Sequence, residues 1–336
     1  MLYRRLGRAG LKGSVLALGT GAMHNLGDAD ALAIFKAALE AGITHFDTAE
    51  SYGGGQTEYR LGTLLQTLGI ARDKFILSTK AFTYGWSDPT AAPHQVRTLN
   101  RKYLLHALDR SLAKLRTDHV DLFYCHQADP DTPIEEIVDT MSEVVQSGKA
   151  RYWAISNWPA DLLDAASSYA ARHGRHGPII NQIEYNLLHR ATADAVVDAS
   201  RSHGLGIAVW GPLAGGLLSG KYRTGVPGNS RAADPAMNAA GIGQRLVDSQ
   251  RNAIVAKLDE VAQELGCSVG QLSIAWCLGQ PQVATVIIAA SNVRQLEENL
   301  GALDVVDRLT PDVLARLKDI VGGHDQSNIP EALPQS

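Results

Sequence analysis

The sequence has few cysteines, little excess charge and no long apolar run. Cys125, Cys267 and Cys277 are the three cysteines of a 336-residue chain, and no two of them form a CxxC pair. So few cysteines in a chain of this length are typical of a reducing compartment and exclude a disulfide framework. The formal net charge is −4, which is not the basic footprint of a protein that binds nucleic acid or an anionic membrane. We expect neither partner.

The sequence also lacks the roughly 20 consecutive apolar residues that a membrane-spanning helix requires. Its first residues, MLYRRLGRAG, carry arginines without the apolar core of a secretion signal. Hydrophobic residues make up 45% of the chain and charged residues 20%, an ordinary composition for a globular protein. We therefore predict a soluble cytoplasmic protein.

Strand and helix patterns alternate along nearly the whole chain. A short hairpin comes first, and apolar strand patterns such as KFILSTK (74–80) then alternate with amphipathic helix patterns such as RKYLLHALDRSLAKL (101–115). Such alternation predicts a parallel sheet covered by helices. Eight strand–helix units predict an α/β fold, a (β/α)8 TIM barrel with an N-terminal β-hairpin and extra C-terminal helices. We expect residues 1–323 to form a single barrel domain and residues 324–336 a flexible tail.

An open, doubly wound sheet is the rival fold. It would require a G-x-G-x-x-G motif after the first strand, because that motif holds a dinucleotide there. The stretch GTGAMH supplies Gly19 and Gly21, but His24 stands where the third glycine should be. The barrel is therefore the favoured fold.

Polar side chains lie at the carboxyl ends of successive predicted strands. A barrel of this kind places its active site at those ends. Each of them alone is more often a cap, a turn former or a solvated group than a catalytic residue, but together they favour a site. They are Asp47, Glu50 and Tyr52 after strand two, Lys80, His126, Ser156 and Asn157, Gln182 and Glu184, and Trp210.

These residue types suit proton transfer to a carbonyl oxygen. Tyr52 would need a nearby positive charge to give up its proton near pH 7, because the ordinary pKa of tyrosine is about 10. Lys80 can supply that charge, and Asp47 can keep Lys80 protonated. His126 can hydrogen-bond the carbonyl oxygen and orient it. The four residues predict a general acid that protonates a carbonyl oxygen while its carbon is attacked.

The sequence resembles the aldo-keto reductases from about residue 3 to residue 322. Within that family it is similar to the branch of the potassium-channel β subunits and the bacterial glyceraldehyde-3-phosphate or methylglyoxal reductases. The motifs that carry the resemblance are GITHFDTAESYG, LSTK, VDLFYCHQADPDTPIEE, AISNW, NQIEYNLL, VWGPLAGGLLSGKY and ASNVRQLEENLGAL.

The resemblance implies a (β/α)8 barrel, NADPH as the hydride donor and a small carbonyl compound as the substrate. It implies that Tyr52 is the acid, that Lys80 tunes it, that Asp47 holds Lys80 and that His126 orients the carbonyl. Ser156, Asn157 and Gln182 would hold the nicotinamide carboxamide, and Trp210 would stack on the ring. Gly211, Leu213, Lys221 and Arg231 would line the pyrophosphate, and Ser291, Gln295, Glu298 and Asn299 would bind the adenosine end with its 2′-phosphate.

Some positions depart from the family pattern. Ala289 stands where the nearest branch often has glycine, and the lysine that many relatives use for the 2′-phosphate is absent, so Arg294 or Gln295 must serve. Channel-associated β subunits tend to carry Asn at the position of His126, so this histidine favours an active enzyme. Glyceraldehyde 3-phosphate and methylglyoxal are possible substrates, and a homo-oligomer is a possible assembly.

Several interpretations stay open from the sequence. Glu50 is expected to be a surface carboxylate of its loop, and Trp86 and Trp158 to pack in an aromatic wall around the substrate or in ordinary loops. Alternatives for the site are a Schiff base on Lys80, a metal bound by Asp47, Glu50 and His126, and an NADPH-sensing or docking subunit with little turnover. The paired histidines of such metal sites are absent, and no metal is expected.

Overall fold

The computed structural model describes residues 1–82, 92–228, 230–233 and 242–322, without the side chains of residues 93, 191, 192, 231 and 242. The predicted tail at 324–336 and Trp86 lie outside the described residues.

Eight strands close into a barrel, in the order β10-β3-β4-β5-β6-β7-β8-β9. Neighbouring strands from β10 through β8 pair in parallel. The predicted (β/α)8 barrel is confirmed, and the open sheet was the wrong alternative. The strands are β3 (Leu16–Gly19), β4 (His45–Asp47), β5 (Ile76–Ala81), β6 (Val120–Cys125), β7 (Ala150–Ser156), β8 (Ile180–Glu184), β9 (Gly206–Trp210) and β10 (Val283–Ile288).

Helices alternate with the strands along the chain. The helix predicted at 101–115 is present as Arg101–Leu115, and the two extra helices expected late in the chain are Val269–Leu278 and Pro311–Val321. The Gly-rich segment 214–246, for which no element was predicted, contains a 3-10 helix, Ala214–Ser219, and a short helix, Ile242–Leu246. In chain order the α-helices are α1 (Asp28–Glu40), α2 (Thr57–Leu68), α3 (Arg101–Leu115), α4 (Ile134–Gln146), α5 (Ala160–Arg172), α6 (Ala191–Ser202), α7 (Ile242–Leu246), α8 (Ser249–Glu264), α9 (Val269–Leu278), α10 (Val293–Leu300) and α11 (Pro311–Val321).

The predicted N-terminal hairpin packs against the barrel. Its strands are β1 (Tyr3–Arg5) and β2 (Lys12–Ser14), which pair antiparallel. Leu6 in the hairpin is fully buried in the barrel core. The next residue, Gly7, has φ +67°, and a Cβ there would lie 2.0 Å from the carbonyl oxygen of Ile179. Glycine is therefore required where the turn touches the barrel.

The described residues form two compact units. The first holds most of the barrel and contains residues 1–183, 195–208 and 282–296. The second contains residues 184–194, 209–281 and the described residues from 297 onward. The single domain expected over residues 1–323 stays a prediction.

Candidate active site

Four predicted catalytic residues lie at the carboxyl ends of β4, β5 and β6 or in the loop after β4. Side chains two apart on a strand share a face, so β4 and β5 each bring two polar groups to the barrel interior. Those groups are His45 and Asp47 on β4, and Ser78 and Lys80 on β5, and all four are buried. The pairing of β4 with β5 sets Asp47 opposite Ser78.

Asp47 and Lys80 form a buried ion pair. The Lys80 Nζ lies 2.5 Å from Asp47 Oδ2 and donates a second hydrogen bond to the carbonyl oxygen of Thr48 at 2.8 Å. The exposed fractions of the two side chains are 0% for Lys80 and 3% for Asp47. Burial opposes both charges, but the attraction between them prevails: the pKa of Asp47 is lowered and that of Lys80 is raised. Lys80 is therefore a fixed positive charge at neutral pH.

The second oxygen of Asp47 is held by neutral side chains. Ser78 Oγ donates to Asp47 Oδ1 at 2.7 Å, and Gln182 Nε2 donates to the same oxygen at 3.2 Å. His45 Nε2 lies 3.1 Å from Ser78 Oγ, and since Ser78 gives its one proton to Asp47, the histidine ring is the donor in this contact. A chain of hydrogen bonds thus runs from His45 through Ser78 to Asp47 and Lys80.

Tyr52 lies beside this pair. Lys80 Nζ is 5.1 Å from the centroid of the Tyr52 ring. Burial raises the pKa of Tyr52, and the charge and hydrogen bond of Lys80 lower it, with a net rise. As expected from the sequence, Lys80 favours the phenolate and lowers the pKa of Tyr52, but the effect of burial on this pKa is larger. Tyr52 therefore holds its proton at neutral pH and can act as an acid.

His126 packs edge-on against Tyr52, with the ring centroids 5.9 Å apart. Burial, together with the positive charge of Lys80, lowers the pKa of His126 to about 3. The imidazole is therefore neutral at pH 7 and carries one N–H. Among the described residues, its Nδ1 has no hydrogen-bond partner. A neutral donor of this kind can orient a carbonyl oxygen without competing to protonate it.

Glycines allow the loop after β4 to turn sharply at Tyr52. The 3-10 helix Tyr52–Gly55 contains residues in the left-handed region, with φ +58° at Gly53. A Cβ at Gly53 would lie 2.7 Å from both the Cβ of His24 and the Oγ1 of Thr57. Any other residue would therefore be strained and crowded at this position.

Glu50 is buried, and the expectation of a surface carboxylate was wrong. Its Oε1 accepts a hydrogen bond from Phe82 N at 2.8 Å and another from the hydroxyl of Tyr103, and its Oε2 lies 3.3 Å from Arg110 Nη2. Tyr103 and Arg110 both belong to α3. Sequence reasoning missed the pairing of this helix with Glu50, because Tyr103 and Arg110 are 53 and 60 residues away along the chain. The i, i+7 spacing of Tyr103 and Arg110 on one helical face was the available signal.

The residues expected at the carboxamide lie in the first unit, and one of them, Gln182, binds Asp47. Ser156 and Gln182 are opposite each other in the pairing of β7 with β8. Asn157 follows with φ +55°, and its Nδ2 donates to Ser156 Oγ at 3.1 Å. A hydroxyl and two amides offer both donors and acceptors, which is the set that a carboxamide needs.

The residues expected at the ring and the pyrophosphate lie in the second unit. Trp210 ends β9 and is 36% exposed. The next residue, Gly211, has φ +65°, and its carbonyl oxygen accepts from Asn186 Nδ2 at 3.0 Å. Leu213 precedes the 3-10 helix Ala214–Ser219, and Lys221 is exposed beyond it. Arg231 begins the 3-10 helix Arg231–Ala233, and its side chain lies outside the described residues.

The residues expected at the adenosine end lie on and before α10. Ser291 and Gln295 are exposed and bonded to each other, with Ser291 Oγ donating to Gln295 Oε1 at 2.8 Å. Asn292 Oδ1 accepts from Gln295 N at 2.9 Å, so this side chain already binds one backbone N–H at the start of α10. Glu298 is exposed, and Asn299 is buried.

Trp158 lies in the core of the first unit. Its side chain is 2% exposed, and its Nε1 has no hydrogen-bond partner among the described residues. This burial is consistent with ordinary packing, and a place for Trp158 in an aromatic wall around the substrate stays a prediction.

Two alternative chemistries fit this geometry poorly. A Schiff-base lysine must be neutral to attack a carbonyl, whereas the pKa of Lys80 is raised by Asp47 once the opposing burial is overcome. Asp47, Glu50 and His126 do not form a metal-binding group: within the described ranges, no three His, Cys, Asp or Glu side chains are clustered suitably.

Comparison with known proteins identifies relatives that match this chain over nearly their whole length. The aldo/keto reductase family profile matches residues 15–321. The "Probable voltage-gated potassium channel subunit beta" of Oryza sativa subsp. japonica is 38% identical over 325 residues, or 96% of this chain and 97% of that protein. The protein of the same description from Arabidopsis thaliana is 37% identical over 326 residues, again 96% and 97%. A "Putative voltage-gated potassium channel subunit beta" of Schizosaccharomyces pombe is 33% identical over 323 residues, or 95% and 93%.

No helix in the described part of this chain has the length and apolar character to cross a membrane.

Proposed function

This chain belongs to the aldo/keto reductase family, and we propose that it reduces an aldehyde or ketone to the alcohol with NADPH. The observation that carries the proposal is the buried Lys80–Asp47 pair, whose Nζ lies 5.1 Å from the centroid of the Tyr52 ring. A buried charge is costly unless it is paired. The buried positive charge of Lys80 next to the Tyr52 phenol is best explained by a role in proton transfer from Tyr52.

Tyr52 acts as the general acid. It holds its proton at neutral pH because burial raises its pKa. As hydride adds to the carbonyl carbon, the oxygen takes the phenolic proton and the product is the alcohol. The phenolate that remains lies beside the positive charge of Lys80, which stabilises it. Tyr52 then regains a proton from solvent.

Asp47 and His126 support this step in different ways. Asp47 keeps Lys80 charged and holds its ammonium group in place at 2.5 Å. His126 donates an N–H to the carbonyl oxygen while staying neutral, since the pKa of this histidine is lowered to about 3 by burial and by Lys80. Together the two residues favour one orientation of the carbonyl, with its oxygen towards Tyr52.

NADPH supplies the hydride when it is bound. Ser156, Asn157 and Gln182 would hold its carboxamide, and their hydroxyl and amide groups fit that role. The exposed Trp210 offers a planar face for a ring, and the left-handed Gly211 lets the backbone come close to a ligand. Lys221 and Arg231 would add positive charge for the phosphates. Ser291, Gln295, Glu298 and Asn299 would bind the adenosine end.

We propose small or phosphorylated aldehydes as substrates, with methylglyoxal and glyceraldehyde 3-phosphate as the first candidates. The support is the similarity to a branch that includes such reductases, through motifs such as SGKYRTGVPGNSR and SNVRQLEEN. A homo-oligomer in the cytoplasm is the corresponding proposal for its assembly and location.

A second candidate is an NADPH-binding sensing or docking subunit with little turnover. The relatives described as potassium-channel β subunits favour it. His126 favours the enzyme, because channel-associated β subunits tend to carry Asn at this position.

The test is NADPH oxidation with methylglyoxal, glyceraldehyde and a nitrobenzaldehyde, measured beside quenching of tryptophan fluorescence by NADPH. We expect turnover together with quenching, and a Trp210→Phe variant to lose part of the quenching. Quenching without turnover would replace the reductase with the sensing subunit. No quenching and no turnover would contradict both proposals.

A further inference from the structure

Glu50 is a buried carboxylate that the proton-transfer step does not use. It is two residues before Tyr52, and its side chain is 2% exposed. Its partners come from two other parts of the first unit: the backbone of Phe82 just beyond β5, and Tyr103 and Arg110 of α3. Arg110 also lies over the Tyr103 ring, 5.8 Å from its centroid. We call Glu50, Tyr103 and Arg110 the Glu50 cluster.

The Glu50 cluster extends the pairing of β4 with β5 beyond the end of the sheet. Thr48 N donates to Ser78 O at 3.0 Å, and Glu50 N donates to Lys80 O at 3.1 Å. Just beyond the end of β5, Phe82 N donates to the Glu50 side chain at 2.8 Å. The carboxylate therefore replaces the backbone acceptor that the sheet no longer provides. This series of bonds joins the residues around Lys80 to the segment that leads into Tyr52.

The positive charge of Arg110 makes this anchor possible. A buried carboxylate without a charged or hydrogen-bonding partner would be expensive. Arg110, whose side chain is 18% exposed, balances the charge of Glu50 from α3. The helix thereby fixes the far end of the segment, while Lys80 fixes the near end through Thr48 O.

We propose that the Glu50 cluster is a positioning device that holds the Tyr52 segment against Lys80, a role that rests on the proposed reductase function. Proton transfer is sensitive to small displacements, and a shift of about 1 Å can reduce a rate about 100-fold. The cluster determines the rate through the geometry of Tyr52 and leaves NADPH binding to other residues.

The test compares Glu50→Gln with Asp121→Asn in the full-length protein. Asp121 is a matched control, because its Oδ2 also binds one arginine, Arg72, and one backbone N–H, that of Leu77, but at the other end of β5. The first readout is amide hydrogen exchange. We expect exchange over residues 48–56 to become about tenfold faster in Glu50→Gln and to stay unchanged in Asp121→Asn.

The second readout is the division of the effect between kcat and KM. We expect Glu50→Gln to lower kcat about 10- to 100-fold at unchanged KM for NADPH, and Asp121→Asn to leave kcat unchanged. Arg110→Lys, which keeps the charge, should retain more of kcat than Arg110→Met. Tyr103→Phe removes a single hydroxyl and serves as the test if Glu50→Gln does not fold. We expect it to give a smaller increase in exchange over residues 48–56 and a smaller loss of kcat.

The outcomes separate this inference from the proposed function. If the wild-type protein reduces no carbonyl, the reductase proposal fails. Unchanged hydrogen exchange in Glu50→Gln would separately show that the Glu50 cluster does not hold the Tyr52 segment in place. Faster exchange with normal kcat would overturn the catalytic part of the inference. Equal effects of Glu50→Gln and Asp121→Asn on kcat would mean that the Glu50 cluster contributes only to the overall stability of the fold.

Discussion

The two ends of β5 each carry an ion pair, and the two pairs differ in what surrounds them. At the amino end, Arg72 Nη2 lies 2.6 Å from Asp121 Oδ2, and the two side chains are 22% and 16% exposed. Arg72 also donates to the carbonyl oxygens of Phe75 and His119. At the carboxyl end, Lys80 and Asp47 are almost completely buried.

The two ion pairs differ in their neighbouring groups as well as in how deeply they are buried. The Arg72–Asp121 pair binds backbone groups and so ties chain segments together. The Lys80–Asp47 pair lies beside Tyr52, and the neutral His126 packs edge-on against the same phenol ring. A partly exposed pair that bonds mainly to the backbone is a stabilising device, whereas a buried pair that also lies next to two proton donors is suited to chemistry.

Removing the cation from the ion pair at either end of β5 should separate the two pairs most strongly. Lys80→Met should lower carbonyl reduction by about 10²- to 10⁴-fold, because the phenolate loses its stabilising charge. It should also lower the free energy of unfolding by about 3–5 kcal/mol, since Asp47 is left buried without its partner. Steady-state kinetics and urea denaturation at neutral pH measure the two effects.

Arg72→Met is the counterpart at the amino end. It should cost about 1.5–3 kcal/mol of unfolding free energy through the lost hydrogen bonds to a charged group, with kcat unchanged. A similar loss of kcat in both variants would mean that the two pairs do not differ in role.

The pH dependence of stability gives the next largest effect. Burial lowers the pKa of His45 to about 4, so the unfolded chain binds more protons than the folded chain between pH 6.5 and 4. The stability that this neutral histidine contributes is full above pH 6.5 and is lost as the pH falls through about 4. The loss from His45 amounts to about 3 kcal/mol.

His45→Gln should therefore flatten the fall in unfolding free energy between pH 6.5 and 4, measured by urea denaturation at several pH values. An exposed histidine of α3, His106, supplies the control variant His106→Asn. If the two variants kept the same acid slope, His45 would not carry this sensitivity.

A smaller effect is expected at the loop beside Tyr52. Arg60 of α2 donates to the carbonyl oxygens of Met23 and Leu26 and to Asp28 Oδ1, each at 2.7 Å. Arg60→Met should cost about 1–2 kcal/mol of unfolding free energy through its lost backbone contacts. Asp28→Asn should cost less than about 1 kcal/mol, because the Asp28 side chain is 96% exposed and its ion pair is screened. Thermal denaturation of the two variants decides whether the backbone contacts or the ion pair matter.

The barrel and the placement of its strand-end residues could be predicted from the sequence because both depend on local patterns. The apolar strands and amphipathic helices have clear periods, and strand alternation fixes which side chains share the interior. Lys80 and Asp47 meet for that reason. The same alternation pointed to Ser78 and His45, each two residues before a predicted site residue, and these two were missed.

The environment of each side chain could not be predicted in the same way. The burial of Glu50 depends on Tyr103 and Arg110, which only the packing of α3 brings to it. The net rise in the pKa of Tyr52 depends on how deeply its loop is buried. The hydrogen bond from Gln295 N to Asn292 depends on where α10 begins. These properties arise from tertiary contacts, for which a single sequence carries little signal.

In the proposed function, Tyr52 gives the proton that completes carbonyl reduction. The most direct test measures kcat for Tyr52→Phe with saturating NADPH and a small aldehyde, alongside NADPH affinity. Tyr59→Phe is the matched control, since Tyr59 is 52% exposed on α2. We predict that Tyr52→Phe loses about 10²- to 10⁴-fold in kcat at unchanged NADPH affinity, while Tyr59→Phe behaves as the wild type. Full activity in Tyr52→Phe would mean that Tyr52 is not the proton donor.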